Sequence, residues 1–169
     1  MATPSAEFTR GLLAAAPTLR AFAISIVGRV DRADDLVQDT MLKAWAAYDS
    51  FEPGSNLKAW LFTILRNAAT TQFRRARREV EDADDKMALG LASEPEQPGH
   101  LALDEMRRAL NELPGDQREA VLLVGAAGFS YEEAAEICAT AVGTIKSRVS
   151  RGRAALAGKL FGDTAVPTD

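Results

Sequence analysis

Apolar residues recur at three- and four-residue steps along two stretches of the chain, 8–78 and 101–160. This spacing is typical of amphipathic helices, and neither stretch shows the sustained alternation of a β-strand. No segment repeats at a fixed period. The spacing, together with its Gly, Pro and Ser punctuation, predicts helices over 8–28, 32–48, 57–78, 101–112, 116–127, 131–139 and 142–160. The sequence therefore predicts an all-α fold.

The segment between these two stretches has a different composition. It combines an acidic run with Pro95, Pro98 and Gly99 and has almost no large apolar side chain, as is typical of a flexible linker. We therefore expect two small helical domains joined by a flexible acidic linker. The predicted parts are a first domain over 1–78, the linker over 79–100, a second domain over 101–162 and a tail over 163–169.

Charge is distributed unevenly between these parts. The 169 residues carry 20 basic and 24 acidic side chains, a net charge of −4, but the linker alone holds 7 of the acidic residues and 1 basic residue. Each domain contains an acid-free basic run, Arg66–Arg78 in the first and Gly143–Lys159 in the second. One such run can be a solvated helix face, whereas a run on each domain favours a nucleic-acid partner.

The chain from Gly128 onward has the pattern of a helix-turn-helix. A short helix opened by a capping box of Ser130 and Glu133 is followed by a turn and a longer basic helix. Along the longer helix, the apolar stripe predicted to face inward is Ile145, Val149, Gly152, Leu156 and Leu160.

The opposite face of the longer helix points outward. A helix in the major groove reads base edges from such a face, while flanking cations neutralise phosphates. The alternative is an amphipathic helix that only packs. The candidate DNA-contacting residues of this face and its flanks are Gly143, Thr144, Lys146, Ser147, Arg148, Ser150, Arg151 and Arg153.

An acidic face is predicted on the helix over 32–48. If Val37, Met41, Ala44 and Tyr48 form its buried stripe, then a second face exposes Asp35, Gln38 and Asp39 at i, i+3 and i+4. These three residues form a candidate partner surface. Acid near a helix N-terminus is also explained by the helix dipole alone.

The helix over 57–78 carries a second candidate nucleic-acid surface. Its inward stripe is predicted to be Leu61, Ile64, Leu65 and Ala68. Bases of single-stranded nucleic acid stack on aromatic rings, and their phosphates meet Arg, although an aromatic residue here can equally belong to the core. The residues of this surface, with two from the preceding loop, are Ser55, Asn56, Trp60, Thr63, Asn67, Thr70 and Arg74.

Taken together, these segments resemble an extracytoplasmic-function (ECF) sigma factor, the smallest class of bacterial sigma subunits. The resemblance covers about residues 9–160 and rests on four motifs in order, which are DDLVQDTMLKAW, NLKAWLFTILRN, LPGDQREAVLLV and YEEAAEICATAVGTIKSRVSRGRAAL. They resemble region 2.2, the segment leading into region 2.4, the start of region 4 and the region 4.2 helix-turn-helix.

The resemblance implies a role for each candidate surface. Asp35, Gln38 and Asp39 would bind the coiled coil of the RNA polymerase β′ subunit, and the polymerase β subunit is a further expected contact. The face of the helix over 57–78 and the loop over 52–56 would meet the melted minus-10 element of promoter DNA. The outward face of the helix over 142–160 would meet the minus-35 element.

Four segments resemble, more narrowly, the alphaproteobacterial general-stress-response subgroup, namely RAFAISIVG, DRADDLVQDTMLKAW, NLKAWLFTILRN and GFSYEEAAEICATAVGTIKSRV. In that subgroup a small soluble anti-sigma protein sequesters the factor, and a response regulator with a sigma-like domain releases it. Its promoters typically carry GGAAC at minus-35 and GTT at minus-10.

The helix-turn-helix turn departs from the family, because Ala139 stands where the family usually has Gly. An alanine with positive φ would be strained.

Other classes of function have little support in the sequence. The single His100 lies in the linker and Cys138 is the one cysteine, so we expect no enzymatic activity, no metal site and no cofactor. We also expect a cytoplasmic protein, because the N-terminus lacks the features of a signal peptide. No membrane segment is expected, because the longest uncharged stretch, Ala120–Tyr131, is well short of the roughly 20 apolar residues that span a bilayer. The alternative function is a sigma-like decoy that binds an anti-sigma factor without acting at promoters.

Overall fold

The computed structural model describes residues 3–82 and 101–162, and the chain divides into two units, Met1–Ala92 and Ser93–Asp169. Within the described residues every regular element is helical, so the predicted all-α fold is confirmed. Most of the predicted linker, including His100, and the whole predicted tail over 163–169 lie outside the described residues.

The first unit has three α-helices within residues 3–82. Helix α1 spans Ala6–Val27, α2 spans Val30–Ala46, a 3-10 turn spans Tyr48–Ser50 and α3 spans Leu57–Asp82. Each of the three helices contacts the other two. Helix α3 runs past the predicted end at residue 78, into the start of the acidic segment. The side chains at the centre of this bundle that have no solvent exposure include Leu19, Leu36, Leu61, Phe62 and Leu65.

Helix α1 is apolar enough, over 22 residues, to match a membrane span by length and composition, which the sequence did not lead us to expect. Packing accounts for part of this composition, since 22% of the apolar window is buried. Phe8, Leu12, Leu19 and Phe22 are buried, and the ring of Phe22 lies 5.1 Å from that of Phe62 on α3. The apolar side of α1 is therefore part of the core of the three-helix bundle.

The predicted buried stripe of α2 is wrong at three of its four positions. Of Val37, Met41, Ala44 and Tyr48, only Ala44 is buried, and the other three are half-buried. The buried residues are Ala33, Leu36, Thr40 and Ala44. Thr40 enters the core because its hydroxyl donates to the carbonyl of Leu36 at 2.7 Å, which satisfies the buried polar group within the helix. Small residues at these positions let α2 pack against both neighbours.

The part of the second unit that the structure describes, residues 101–162, contains four α-helices. Helix α4 spans Leu101–Asn111, α5 spans Gly115–Val121, α6 spans Tyr131–Ile137 and α7 spans Val142–Phe161. The predicted single helix over 116–127 is divided, since α5 continues as a π-helical segment, Leu122–Ala126. The amide of Ala127 donates to the carbonyl of Leu122 at 2.9 Å, and the amide of Phe129 donates to the carbonyl of Leu123 at 3.0 Å. These bonds span five and six residues, compared with four in an α-helix, and they close the wider turn. Buried Ala127 and Phe129 thereby cover the end of the helix.

Helix α7 packs on α5 at a glycine. Ile145, Val149, Gly152 and Leu156 are buried as predicted, and Leu160 is half-buried. A Cβ atom added at Gly152 would lie 2.5 Å from Cγ2 of Val121 and 3.4 Å from the carbonyl oxygen of Gln117. The close approach of the two helices therefore requires a residue without a side chain at this position.

One arginine links α4 to α5. Nε of Arg118 donates to the carbonyl of Leu110, and its Nη2 donates to the carbonyls of Asn111 and Leu113, each at 2.9 Å. The first two carbonyls belong to the last two residues of α4 and the third lies just past its end, in the region where a helix leaves carbonyls without intrahelical partners. Burial lowers the pKa of Arg118 from its ordinary value, but a guanidinium stays protonated in proteins.

The helix-turn-helix turn has the strain expected from its sequence. The capping box of Ser130 and Glu133 is present at the start of α6. Past the end of α6, Ala139 has φ of 50°, in the left-handed region that disfavours any residue with a Cβ.

We expect Gly152→Ala to destabilise the second unit by roughly 1–3 kcal/mol, because the new methyl group overpacks the α5–α7 contact. Gly158→Ala is the matched control in the same helix, since a Cβ there meets nothing within 4 Å. The control should stabilise the helix by about 0.5–1 kcal/mol. Chemical denaturation followed by circular dichroism measures both values, and equal effects of the two substitutions would contradict the packing described here.

We expect Ala139→Gly to stabilise the second unit by about 0.5–1 kcal/mol. Relief of the left-handed strain is worth about 1–2 kcal/mol, and the greater freedom of glycine in the unfolded chain offsets about 0.4–1 kcal/mol of it. The same substitution at Ala154, which is exposed in α7, should instead destabilise. Thermal melting of the two variants tests this, and an Ala139→Gly protein that melts no higher than the parent would refute it.

Candidate nucleic-acid interface

The predicted minus-35 face of α7 is accessible throughout. Gly143, Lys146, Ser150, Arg151 and Arg153 are exposed, and the remaining three, Thr144, Ser147 and Arg148, are half-buried. The face lies opposite the buried stripe that packs on α5 and α6. Packing of α7 in the second unit therefore leaves a face of glycine, hydroxyl and basic residues open to a partner.

Two cations on the flanks of this face are held by neighbouring helices. Nζ of Lys146 lies 5.7 Å from the ring centroid of Tyr131 on α6, within the range of a cation–π interaction. Nε of Arg148 lies 3.3 Å from Oδ2 of Asp116 on α5. Sequence reasoning missed Tyr131 and Asp116 as parts of this site, since no periodicity relates a residue to a partner on another helix.

The acidic face of α2 is exposed but differs in detail from the prediction. Asp35 and Gln38 are exposed, whereas Asp39 is half-buried and forms an ion pair of 2.8 Å with Lys43. Leu42 and Trp45 continue the same face toward the end of the helix, with 68% and 46% of their surface exposed. The sequence analysis overlooked this apolar extension, although its spacing from Gln38 at i+4 and i+7 could have revealed it.

Trp60 takes part in an aromatic cluster as well as facing solvent. Its ring lies 5.1 Å from that of Phe51 and 6.2 Å from that of Phe8, which in turn lies 4.8 Å from the ring of Tyr48. Because Trp60 is half-buried, the core role considered in the sequence analysis applies to part of its ring. The exposed part lies at the start of α3.

The other predicted residues of α3 differ in how much of their hydrogen-bonding capacity is used. The hydroxyls of Thr63 and Thr70 donate to the carbonyls of Ala59 and Arg66, at 3.0 Å and 2.9 Å. Their protons are therefore used within the helix, and each oxygen keeps capacity to accept a hydrogen bond. Asn67 and Arg74 are exposed.

The distal part of α3 is exposed on all sides. Every residue from 71 to 80 is exposed, including Phe73 and Val80. This part of the helix carries the basic run predicted from the sequence, with Arg74, Arg75, Arg77 and Arg78. The cations are thus separated from the packed part of the bundle.

The loop before α3 is ordered by its own side chains. The hydroxyl of Ser55 donates to the carbonyl of Glu52 at 2.6 Å. Oδ1 of Asn56 accepts from the amide of Ala59 at 3.1 Å, so Asn56 caps the N-terminus of α3. Both predicted loop residues therefore stabilise the loop itself. A hollow of about 410 Å³ lies against this loop, lined by residues that include Phe8, Tyr48, Asp49 and Phe51.

Within residues 3–82 and 101–162, no group of three or more His, Cys, Asp and Glu residues is arranged to hold a metal ion. Cys138 is buried in this part of the chain with a free thiol.

Comparison with known families places both units in one superfamily. The model of Sigma-70 region 2 matches residues 13–79, and the model of Sigma-70 region 4 matches residues 103–156. The first match contains α2, the loop and most of α3, and the second contains the helix-turn-helix.

Individual relatives are similar over nearly the whole chain. The ECF RNA polymerase sigma factor EcfG of Rhodopseudomonas palustris (strain TIE-1) is 62% identical over 91% of this chain and 85% of its own length. The sigma factor RpoE of Bartonella quintana, solved in complex with the anti-sigma factor NepR, has a TM-score of 0.85 at 56% identity, covering 94% of this chain and 99% of RpoE.

A more distant relative has the same organisation. The sigma factor CnrH of Cupriavidus metallidurans (strain ATCC 43123 / DSM 2839 / NBRC 102507 / CH34) is 34% identical over 78% of this chain and 74% of its own length. The structure of CnrH in complex with the cytosolic domain of CnrY has a TM-score of 0.68, covering 93% of this chain and 89% of CnrH. The chain belongs to the ECF sigma factors of RNA polymerase, and it directs promoter-specific initiation of transcription.

Proposed function

We propose that this sigma factor directs RNA polymerase to promoters of a general stress response, with α7 reading the minus-35 element. The observation that carries this proposal is the exposed basic face of α7, opposite a buried stripe, in a chain 62% identical to EcfG. Exposed Lys146, Arg151 and Arg153 support contact with promoter DNA and disfavour a decoy role.

At the minus-35 element, α7 lies in the major groove of duplex DNA. The side chains of Lys146, Ser147, Ser150 and Arg151 reach base edges, while Arg153 on the flank meets phosphate. Gly143 and Thr144, at the N-terminal end of α7, bring the backbone close to the DNA. GGAAC is the expected sequence, and guanine offers the paired acceptors that an arginine recognises.

At the minus-10 element, the first unit holds unpaired bases. Asn67 and Arg74 on α3 supply exposed hydrogen-bonding and cationic groups, and the exposed part of Trp60 supplies a stacking surface. Thr63 and Thr70 contribute hydroxyl oxygens as acceptors. The loop held by Ser55 and Asn56 forms one side of this surface, so it is preorganised before DNA arrives.

The acidic face of α2 is the proposed contact with core polymerase. Asp35, Gln38 and Asp39 would bind the coiled coil of the β′ subunit, with β as a second contact. Charge at such an interface sets orientation and association rate more than affinity. The apolar surface of Leu42 and Trp45 beside it would then add burial.

The proposal includes regulation by sequestration in the cytoplasm. RpoE and CnrH have each been solved bound to an anti-sigma partner. By that likeness, a small soluble anti-sigma factor holds this chain inactive, and a response regulator with a sigma-like domain releases it under stress.

Because the proposal assigns polymerase binding to α2 and minus-35 recognition to α7, a substitution in each helix should impair one of these activities and leave the other intact. Asp39→Lys should lose affinity for core polymerase by about tenfold or more, since like charges would meet at the interface. Arg151→Ala should keep that affinity and lose roughly five- to a hundredfold in selection of the minus-35 element. Polymerase binding and in vitro transcription from a GGAAC/GTT promoter measure the two effects. Equal polymerase affinity for Asp39→Lys, or no transcription by the parent protein on any promoter, would contradict the proposal.

Substitutions at Asn56 should separate its capping role from its proposed role at the minus-10 element. Asn56→Asp should retain the stability of the first unit, because aspartate caps a helix as well as asparagine does. Its added negative charge should nevertheless weaken open-complex formation. Asn56→Ala should cost about 1 kcal/mol of stability. Denaturation curves and permanganate footprinting of the melted promoter test these outcomes, and normal footprints with Asn56→Asp would remove Asn56 from the DNA interface.

A further inference from the structure

The basic side chains of α7 differ in whether the second unit itself neutralises them. Arg148 is paired with Asp116 on α5, and Lys159 is paired with Glu112, just past the end of α4. Arg151 and Arg153 are exposed, and neither forms an ion pair with an acidic residue among the described residues. Residues 101–162 carry eight basic and eight acidic side chains, so this DNA-binding unit has no net cationic charge.

Asp116 is held in place for its contact with Arg148. Its Oδ1 accepts from the amide of Gln117 at 2.9 Å in the first turn of α5, which leaves Oδ2 to face Nε of Arg148 at 3.3 Å. The side chain of Arg148 is only 26% exposed, whereas that of Asp116 is 53% exposed. A negative charge is therefore presented to solvent at the edge of the DNA-contacting face.

Position along α7 distinguishes this pair from the other one. Arg148 lies between Ser147 and Ser150, in the part of the helix that would enter the groove. Lys159 lies near the C-terminal end of α7, beyond that part. A phosphate approaching the flank of the reading face would thus meet Arg148 with Asp116 beside it.

We propose that Asp116 is a built-in counterion, which competes with DNA phosphate for Arg148 and thereby limits sequence-independent DNA binding by the free factor. The inference rests on the proposed function of α7 as the minus-35 reader. Binding of a free cation to DNA releases a condensed counterion and gains free energy from that release. An arginine already neutralised by a carboxylate gains less, and the carboxylate also repels the phosphate.

The consequence for function concerns where the factor binds. Sequence-independent affinity for DNA comes almost wholly from phosphate neutralisation. If phosphate neutralisation is reduced, base contacts supply a larger share of the total binding free energy. The free factor would then bind random duplex weakly, and stable engagement of the minus-35 element would depend on anchoring by polymerase.

The test measures duplex binding by the full chain across a salt series. Fluorescence anisotropy compares a duplex carrying GGAAC with a scrambled duplex, for the parent, Asp116→Asn, Arg148→Ala and the double variant. Asparagine keeps an oxygen that can accept from the Gln117 amide. Asp104→Asn is the matched control, because Asp104 is also a first-turn carboxylate but pairs with Arg107 within α4, at 3.9 Å.

For Asp116→Asn we expect tighter binding to the scrambled duplex at low salt, by roughly three- to tenfold, and a slope of log affinity against log salt steeper by up to about 0.9. In the double variant the slope should return to that of Arg148→Ala. Asp104→Asn should change the slope much less. Melting curves confirm that each variant is folded.

Two results would overturn the proposal. An unchanged slope for Asp116→Asn, or failure of Asp116→Asn to bind any duplex, would show that Asp116 is not what limits DNA binding by the free factor. Equal effects of Asp104→Asn and Asp116→Asn would indicate a response to net charge alone. Neither result touches the proposed function, which is judged separately by minus-35 selection of Arg151→Ala in transcription with core polymerase.

Discussion

The contact between α5 and α7 at Gly152 determines which residues of the second unit face outward. A helix can rotate about its axis until its largest apolar stripe is buried, and here the absence of a side chain at Gly152 lets Val121 and the backbone of Gln117 approach closely. That approach sets the rotation of α7. Because residues on a helix are related by about 100°, setting the buried stripe also sets the position of Arg151 on the exposed face.

The first unit solves a similar problem with a polar residue. Thr40 is fully buried on α2 and satisfies its hydroxyl within its own helix. Its small size lets α2 pack between α1 and α3, and the resulting rotation exposes Asp35 and Gln38. The aromatic cluster of Phe8, Phe51 and Trp60 then joins α1 to the start of α3 and supports the loop between α2 and α3.

The second unit contains basic side chains that are available to DNA and others that are already paired within the unit. Of the cations on α7, Arg148 and Lys159 are paired with Asp116 and Glu112. Arg151 and Arg153 form no ion pair among the described residues, and this difference follows from packing. Arg118 has a structural role instead. It donates to carbonyls at and just past the end of α4 and so links α4 to α5, the helix on which α7 packs. A small domain can thus carry many arginines while presenting only some of them to DNA.

Local patterns in the amino-acid sequence predicted the helices apart from the π-helical end of α5, and with them the capping box, the buried stripe of α7 and the strained turn at Ala139. These features depend on spacing, capping chemistry and backbone sterics, which act within a few residues. The sequence also predicted which residues of α7 lie outward, because the opposite face is set by the stripe alone.

Features that depend on contacts between helices could be assigned only from the packed fold. The stripe of α2 was misassigned because Thr40 is polar in sequence and buried in the fold, and the π-helical end of α5 depends on what packs over it. The partners of Lys146 and Arg148 also appear only when α5, α6 and α7 meet. Such pairs join residues distant in the chain, and no local pattern encodes them, since their energy is gained only after the backbone has brought them together.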